Sequence, residues 1–235
     1  MRIDIWSDFG CPFCLIGKTK FEQALRQFAK REEVEVTYRS FQLDPHAKNR
    51  TLSVQQLAME KGMSVEQMKA KQAQVAGMIK QETGLIANYD PVVISNTFDA
   101  HRLVQFASQA GKGAEITEQL FHAYLSESLN VADHHVLVAL GKKAGLSEQK
   151  VSNMLRSDAY KDAVQADMAE ARKLKILSVP AFVFNNKYVI SGAQSEGVFL
   201  NALHTIWEEE RSELQVKSWG HAEGNNSCEN GSCDV

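Results

Sequence analysis

Two cysteines separated by two residues are the feature of this sequence best suited to chemistry. They end the segment 7–14, which reads SDFGCPFC. An apolar run at residues 2–6 precedes the segment and is typical of a strand, and a stretch with helical character follows to about Lys30. A Cys-x-x-Cys pair at a strand-to-helix turn indicates a thiol–disulfide redox site. The spacing brings both sulfurs within bonding distance, and Pro12 has no N–H to lose at a helix start.

The start of a helix predicts different roles for the two thiols. Its unpaired N–H groups and the positive end of its dipole favour thiolate over thiol at the first sulfur. We therefore predict that Cys11 is the exposed, acidified nucleophile. Cys14, one turn in and shielded, is predicted to be the resolving thiol that closes the internal disulfide. A buried structural pair of thiols and half of a zinc site are the alternatives, and the strand–turn–helix context favours the redox site.

A second cysteine pair lies near the C-terminus. Cys228 and Cys233 are separated by four residues that include an Asn-Gly turn signal, so they can close on each other. Residues 216–235 are rich in Gly, Asn and Ser, have little to bury, and are predicted to form a flexible tail. Three interpretations stay open: a dithiol that relays electrons to the first pair, an inert tail, and a metal-binding tail with His221 as a further ligand.

Composition and charge exclude several classes of function. The 235 residues are 44% hydrophobic and 23% charged, as in a globular protein with a sizeable core. A net charge of −3 with no basic stripe predicts no nucleic-acid partner. No apolar run is long enough to cross a bilayer, and the first residues lead directly into a strand rather than a signal peptide. We therefore expect a cytoplasmic protein, in which cysteine pairs are usually catalytic, redox-sensing or metal-binding.

The elements around the cysteines follow from hydrophobic periodicity. Alternation at Val34, Val36 and Tyr38 predicts a second strand, parallel to the first because a helical crossover joins them. Residues 47–175 are predicted to be entirely helical, in six or seven helices. A strand after Pro180, a hairpin and a last helix follow. The predicted stops of the helical region are glycines: Gly62, Gly84, Gly111 and Gly145.

This order of elements resembles the thioredoxin fold as elaborated in the DsbA family. The resemblance is closer to the FrnE-like branch, which includes relatives of 2-hydroxychromene-2-carboxylate isomerase. The fold class that it implies is α/β, a thioredoxin-like fold with a large all-helical insertion. Residues 1–46 and 176–215 would form the thioredoxin-like domain, 47–175 the inserted domain and 216–235 the tail. The resemblance is carried by four segments: 7–18, 41–45, 96–102 and 179–184.

The resemblance also implies roles for residues outside the cysteine pair. Pro180 would be the cis-proline that faces the active-site disulfide, a conformation that X–Pro bonds adopt only where geometry demands it. Val179 would pair edge-on, through its backbone, with an extended thiol substrate. In the isomerase relatives the region of Asn96 and His101 borders the glutathione and substrate cleft, which implies binding roles for both. Helix capping is the alternative for Asn96.

The two residues between the cysteines are assigned to the substrate-binding surface. Phe13 stands where strongly oxidising DsbA proteins have a histidine, which can stabilise a thiolate as phenylalanine cannot. We predict a pKa of Cys11 below that of a free thiol and above the DsbA extreme of ~3.5, with a less oxidising potential to match. Pro12 is assigned to the same surface.

Three classes of function remain. The first is a thiol–disulfide oxidoreductase acting on protein thiols or on small thiols such as glutathione, with no tightly bound cofactor. The second is a glutathione-dependent isomerase or transferase on the same fold. Because those relatives tend to have serine at the first catalytic position, the retention of both Cys11 and Cys14 argues against it. The third is a zinc-binding module, and the oligomeric state is left open.

Overall fold

The computed structural model describes residues 1–214, with side chains to residue 212. The predicted tail at 216–235, with Cys228 and Cys233, lies outside the described residues. A 3₁₀ turn at Arg31–Glu33 follows the first helix. The described strands are β1 (Arg2–Ser7), β2 (Glu35–Ser40), β3 (Arg50–Leu52), β4 (Val92–Ile94), β5 (Ala181–Phe184) and β6 (Tyr188–Ser191). The described helices are α1 (Pro12–Gln27), α2 (Val54–Glu60), α3 (Val65–Thr83), α4 (Phe98–Ser108), α5 (Gly113–Leu125), α6 (His134–Lys143), α7 (Glu148–Arg156), α8 (Lys161–Lys173) and α9 (Glu196–Leu214).

Four strands form the sheet that carries the cysteine turn, in the order β2-β1-β5-β6. The predicted parallel pairing is confirmed, since β1 runs parallel to β2, with Ser7 opposite Ser40. On its other side β1 is antiparallel to β5. The predicted hairpin is also confirmed: Asn185 and Asn186, both at positive φ, join β5 to β6. Asparagine tolerates that conformation in the tight turns that suit twisted strands.

Apolar side chains cover both faces of this sheet. On one face α1 and α9 pack through aromatic rings, and Phe21 lies edge-on to Phe199. Leu203 and Ile206 of α9 are buried there. On the other face Trp6 and Leu15 join a larger core that is built mainly from α4 to α8. The cysteine turn therefore leaves a strand that is fixed on both faces.

The region between residues 47 and 175 is not entirely helical, which corrects the prediction. β3 and β4 form a separate two-stranded antiparallel sheet within it. Each strand has only three residues, too few to show the alternation by which a strand is recognised. The first helix is also shorter than expected, because it ends at Gln27 and Phe28 is extended. The four glycine stops are confirmed, since each has positive φ: Gly62, Gly84, Gly111 and Gly145.

A buried carboxylate joins the helical region to the main sheet. Asp167 of α8 accepts hydrogen bonds from Arg39 at 3.0 Å, from the Ser40 backbone N–H at 2.9 Å and from Gln105 at 2.7 Å. Arg39 in turn donates to the buried Asp4 of β1 at 2.7 Å. These bonds connect α8 and α4 to β2 and, through Arg39, to β1. The division of the chain into domains stays a prediction.

Among residues 1–214, no helix is both long and apolar enough to span a membrane.

Candidate active site

The turn after β1 presents the cysteine pair at the start of α1. The backbone N–H of Cys11 donates to the Asp8 carbonyl at 3.1 Å, which closes the turn. Cys11 is the N-cap residue and Pro12 the first helical residue, as predicted. The N–H of Cys14 donates to the Cys11 carbonyl at 3.0 Å, so the two cysteines lie within one tight helical turn. Both are free thiols.

The prediction that Cys11 is exposed is wrong. It is only 6% exposed, and Cys14 is 1% exposed. The reason is that the cis-proline loop lies over Cys11, whose Sγ is 3.6 Å from the Val179 carbonyl oxygen. The predicted shielding of Cys14 agrees with its burial.

The two thiols differ in acidity, in the directions that their predicted roles require. The largest effect on the pKa of Cys11 is a hydrogen bond from the Cys14 thiol, which lowers it. Burial raises this pKa, and the backbone N–H groups of Cys14 and Phe13 lower it further. Burial, and then the hydrogen bond and charge of the neighbouring Cys11 sulfur, raise the pKa of Cys14 well above that of an ordinary thiol. Cys11 is therefore the thiol that ionises first. The N–H groups at the helix start lower the pKa of Cys11 as predicted, but the hydrogen bond from the Cys14 thiol lowers it more.

The cis-proline that the resemblance implied is present, since the Val179–Pro180 peptide bond is cis. Gly17 of α1 allows this loop to come close to the helix. A Cβ atom at position 17 would lie 2.8 Å from Cγ of Pro180 and 3.4 Å from Cα of Ala193. Only a glycine fits this contact without moving the loop, so Gly17 determines how closely Val179 approaches Cys11.

An acidic residue lies under the turn. The Asp8 carboxylate is buried and accepts a hydrogen bond from the Leu43 N–H at 2.7 Å. Its other oxygen is 3.5 Å from Nε2 of His101, long for a hydrogen bond, and neither atom has a hydrogen-bond partner in the described chain. Burial raises the pKa of the Asp8 carboxyl, but His101 and the Leu43 N–H lower it by more. The negative charge of Asp8 raises the pKa of both Cys11 and Cys14.

Asp8 and Gly17 were not predicted as functional positions, although both lie in the segment 7–18 that carries the resemblance. Their positions, three residues before Cys11 and three after Cys14, were the available signal. That Asp8 is buried and that Gly17 meets Pro180 depends on distant segments of the chain. These contacts could not be inferred from the spacing of residues in the motif.

The remaining predicted site residues have contrasting surroundings. Phe13 is 44% exposed and Pro12 half-buried, so both are accessible beside the buried sulfurs. His101 is 3% exposed and packs its ring against Phe9 under the turn. The side chain of Asn96 accepts from Gln42 and from the Phe98 N–H, at the start of α4. The N-cap residue of α4 is Thr97 rather than Asn96, so Asn96 anchors the segment just before the helix instead of capping it.

The zinc interpretation gains no ligands from the described part of the chain. Residues 1–214 contain no cluster of three or more His, Cys, Asp or Glu side chains arranged to hold a metal ion. A site that includes Cys11 and Cys14 would therefore need ligands from residues 215–235, among which are His221, Cys228 and Cys233.

Comparison with known families agrees with this geometry. A family model described as a DSBA-like thioredoxin domain matches residues 2–204. The chain belongs to the DsbA-like thioredoxin family. This DsbA-like chain is similar to the crystal structure of a protein named a probable DsbA oxidoreductase from Streptomyces coelicolor. The two are 37% identical, with a TM-score of 0.82 and coverage of 89% of this chain and 91% of the other. The predicted fold class and family are confirmed, and the FrnE-like branch stays a prediction.

Two more distant structures show the same fold. The cytosolic disulfide reductase DsbM from Pseudomonas aeruginosa is 15% identical, with a TM-score of 0.62 over 89% of this DsbA-like chain and 100% of its own. DsbM has also been solved with glutathione. A 2-hydroxychromene-2-carboxylate isomerase is 16% identical, with a TM-score of 0.60 over 92% of this chain and 100% of its own. At this level of identity the likeness concerns the fold alone.

Proposed function

We propose that this protein is a cytoplasmic thiol–disulfide oxidoreductase that exchanges electrons through Cys11 and Cys14 with protein thiols or small thiols. The observation that carries the proposal is a thiol pair of opposite acidity facing a cis-proline loop. Cys11 has the lowered pKa and Cys14 the raised pKa, and the Val179 carbonyl lies 3.6 Å from the Cys11 sulfur. Membership of the DsbA-like family supports the same class of reaction.

The reaction proceeds by two exchanges in which electrons balance. The Cys11 thiolate attacks one sulfur of a substrate disulfide, forms a mixed disulfide and releases the other sulfur as a thiolate. Cys14 then loses its proton and attacks the Cys11 sulfur. This step forms the Cys11–Cys14 disulfide and releases the second substrate thiol. The protein dithiol is oxidised by two electrons and the substrate disulfide is reduced by two, and the reverse sequence oxidises a substrate dithiol.

The surroundings of the two thiols favour this order of the two exchange steps. Because burial keeps the Cys14 thiol protonated, Cys14 does not compete with the Cys11 thiolate for the substrate disulfide. Forming the mixed disulfide removes the charge on Cys11, and with it one of the causes that raise the pKa of Cys14. The resolving thiol therefore becomes easier to ionise at the step that needs it. Phe13 and Pro12 supply the accessible surface that a substrate meets first.

A turbidity assay of insulin reduction with dithiothreitol tests the proposal. We expect Cys11→Ser to abolish the catalysed rate, because it removes the nucleophile. Cys14→Ser is expected to trap mixed disulfides, visible as adducts in a non-reducing gel and by mass spectrometry. Equal activity of the wild type and Cys11→Ser would overturn the assignment.

Glutathione is the proposed small co-substrate, with no cofactor tightly bound. Adduct mass after incubation of Cys14→Ser with oxidised glutathione tests this directly. The glutathione-dependent isomerase remains the second class, and the likeness to a 2-hydroxychromene-2-carboxylate isomerase, at 16% identity, concerns the fold alone. Retention of two thiols of opposite acidity favours the oxidoreductase. The relay through Cys228 and Cys233 stays a proposal, and unchanged turnover in a Cys228→Ser, Cys233→Ser variant would reject it.

A further inference from the structure

A cavity of about 300 Å³ adjoins the cysteine turn. Gly10 and Pro12, the two residues that flank Cys11, form part of its wall. Most of the remaining wall comes from the inserted region, including Met68 and Val75 of α3 and the apolar residues of β4. The cavity therefore lies between the reactive turn and a part of the chain that the redox chemistry does not use.

The size and lining of the cavity indicate what it can hold. Small-molecule sites in proteins are concave and mostly apolar, with a few polar groups that fix orientation. An apolar cavity of ~150 Å³ is enough for a benzene ring. About 300 Å³ therefore accommodates one ring or branched chain together with the atoms that link it to a sulfur.

One polar group in the wall has no partner. The Tyr89 hydroxyl is buried and makes no hydrogen bond within residues 1–214. The other tyrosine of the wall differs, since the Tyr124 hydroxyl donates to the Val93 carbonyl at 2.9 Å. A buried hydroxyl without a partner is destabilising, so a ligand that supplies an acceptor there gains affinity. Burial raises the pKa of Tyr89, so its hydroxyl stays protonated and can donate a hydrogen bond to a ligand.

We propose that this cavity binds an apolar, ring-sized group of a low-molecular-weight disulfide substrate, and that Tyr89 donates a hydrogen bond to an acceptor on that group. Cys11 attacks the sulfur to which the group is linked, as in the first exchange above. The inference rests on the proposed function, because it specifies the substrate of the same sulfur. A small disulfide is favoured over a polypeptide because the cavity, which adjoins the turn that holds Cys11, is large enough for a ring and its linker but not for a length of chain.

The test compares mixed disulfides of 2-mercaptoethanol that carry a methyl, a benzyl or a 4-carbamoylbenzyl group. Dithiothreitol regenerates the protein dithiol, and each kcat/KM is divided by the uncatalysed rate with dithiothreitol to remove intrinsic reactivity. For the wild type we expect the benzyl compound to exceed the methyl compound about tenfold, from burial of the ring. The carbamoyl oxygen is expected to add a further gain of about threefold or more through Tyr89.

Variants separate the cavity from general effects on the protein. Val75→Phe fills the cavity and is expected to bring the benzyl-to-methyl ratio close to one. Tyr89→Phe is expected to remove only the carbamoyl gain. Met59→Phe is the matched control, since Met59 is 82% exposed and does not line the cavity. In this variant the benzyl-to-methyl ratio and the carbamoyl gain should equal those of the wild type.

Equal normalised rates for all three disulfides in the wild type would overturn the inference without requiring any variant to fold. A loss of insulin reduction in Val75→Phe as large as the loss with the benzyl compound would assign the cavity to a polypeptide side chain and also overturn it. Failure of the proposed function looks different, because Cys11→Ser would then keep the wild-type rate with the methyl disulfide.

Discussion

Cys11 and Cys14 occupy one helical turn, yet their pKa values shift in opposite directions. The largest cause of the lowered pKa of Cys11 is the thiol of Cys14, which donates a hydrogen bond to the Cys11 sulfur. The resolving thiol therefore has a second role before it reacts. It stabilises the thiolate that it will later displace.

This dual role predicts a difference between two substitutions of Cys14. Cys14→Ala removes the donor and is expected to raise the pKa of Cys11 toward that of a free thiol. Cys14→Ser keeps an O–H donor and is expected to raise it less. The rate of alkylation by iodoacetamide, measured against pH, gives the pKa of Cys11 in each variant. If the pKa of Cys11 in both variants equals that of the wild type, the backbone N–H groups of the helix start alone account for its acidity.

Asp8 acts on the same thiols in the opposite direction. Its charge raises the pKa of both cysteines, so we expect Asp8→Asn to lower both. With the amide in place, alkylation of Cys11 should reach half of its maximal rate at a lower pH than in the wild type. Asp44→Asn is the control, because Asp44 is an exposed acid. An unchanged or higher midpoint in Asp8→Asn contradicts this assignment.

At the scale of elements, α1 and the cis-proline loop meet at one glycine. We expect Gly17→Ala to cost about 1–3 kcal/mol in the free energy of unfolding, because the added Cβ overlaps Pro180. It should also increase the alkylation rate of Cys11, since the loop that covers the sulfur moves away. Urea unfolding monitored by circular dichroism and the alkylation rate measure the two effects.

Gly77→Ala is the matched control for this prediction. Gly77 lies inside α3, and a Cβ atom there would meet nothing within 4 Å. Replacing it should stabilise the protein by up to ~1 kcal/mol, since glycine is unfavourable inside a helix. A Gly17→Ala variant as stable as this control would remove the basis for a close approach at residue 17.

The sequence predicts these elements well where a local rule applies. Periodicity located β2 and the last helix α9, and glycines indicated where four of the helical segments end. The pair β3 and β4 was missed because three residues carry no readable period. The exposure of Cys11 was misjudged for another reason: the loop at Val179 that covers it is 168 residues away in sequence.

At the scale of the whole molecule, Asp167 joins the helical region to the sheet through three hydrogen bonds. We expect Asp167→Ala to reduce the free energy of unfolding by about 3 kcal/mol, because it leaves the buried Ser40 N–H without its partner and Arg39 with only one of its two carboxylates. Asp162→Ala changes an exposed acid in the first turn of the same helix and should cost less than ~1 kcal/mol. Chemical denaturation of both variants measures the difference, and equal losses would contradict the special role of Asp167.

The position of β1 inside the sheet has a consequence for how the protein is made. One neighbour of β1 comes from the next segment of the chain, but the other, β5, is translated much later. At a synthesis rate of ~5–20 residues per second, roughly 10–30 s pass between the emergence of Cys11 and that of Val179. Throughout that interval the growing polypeptide carries a Cys11 sulfur without its cover, open to disulfides and oxidants of the cell. The chain is therefore most vulnerable to oxidation before the Val179 loop and β5 have left the ribosome.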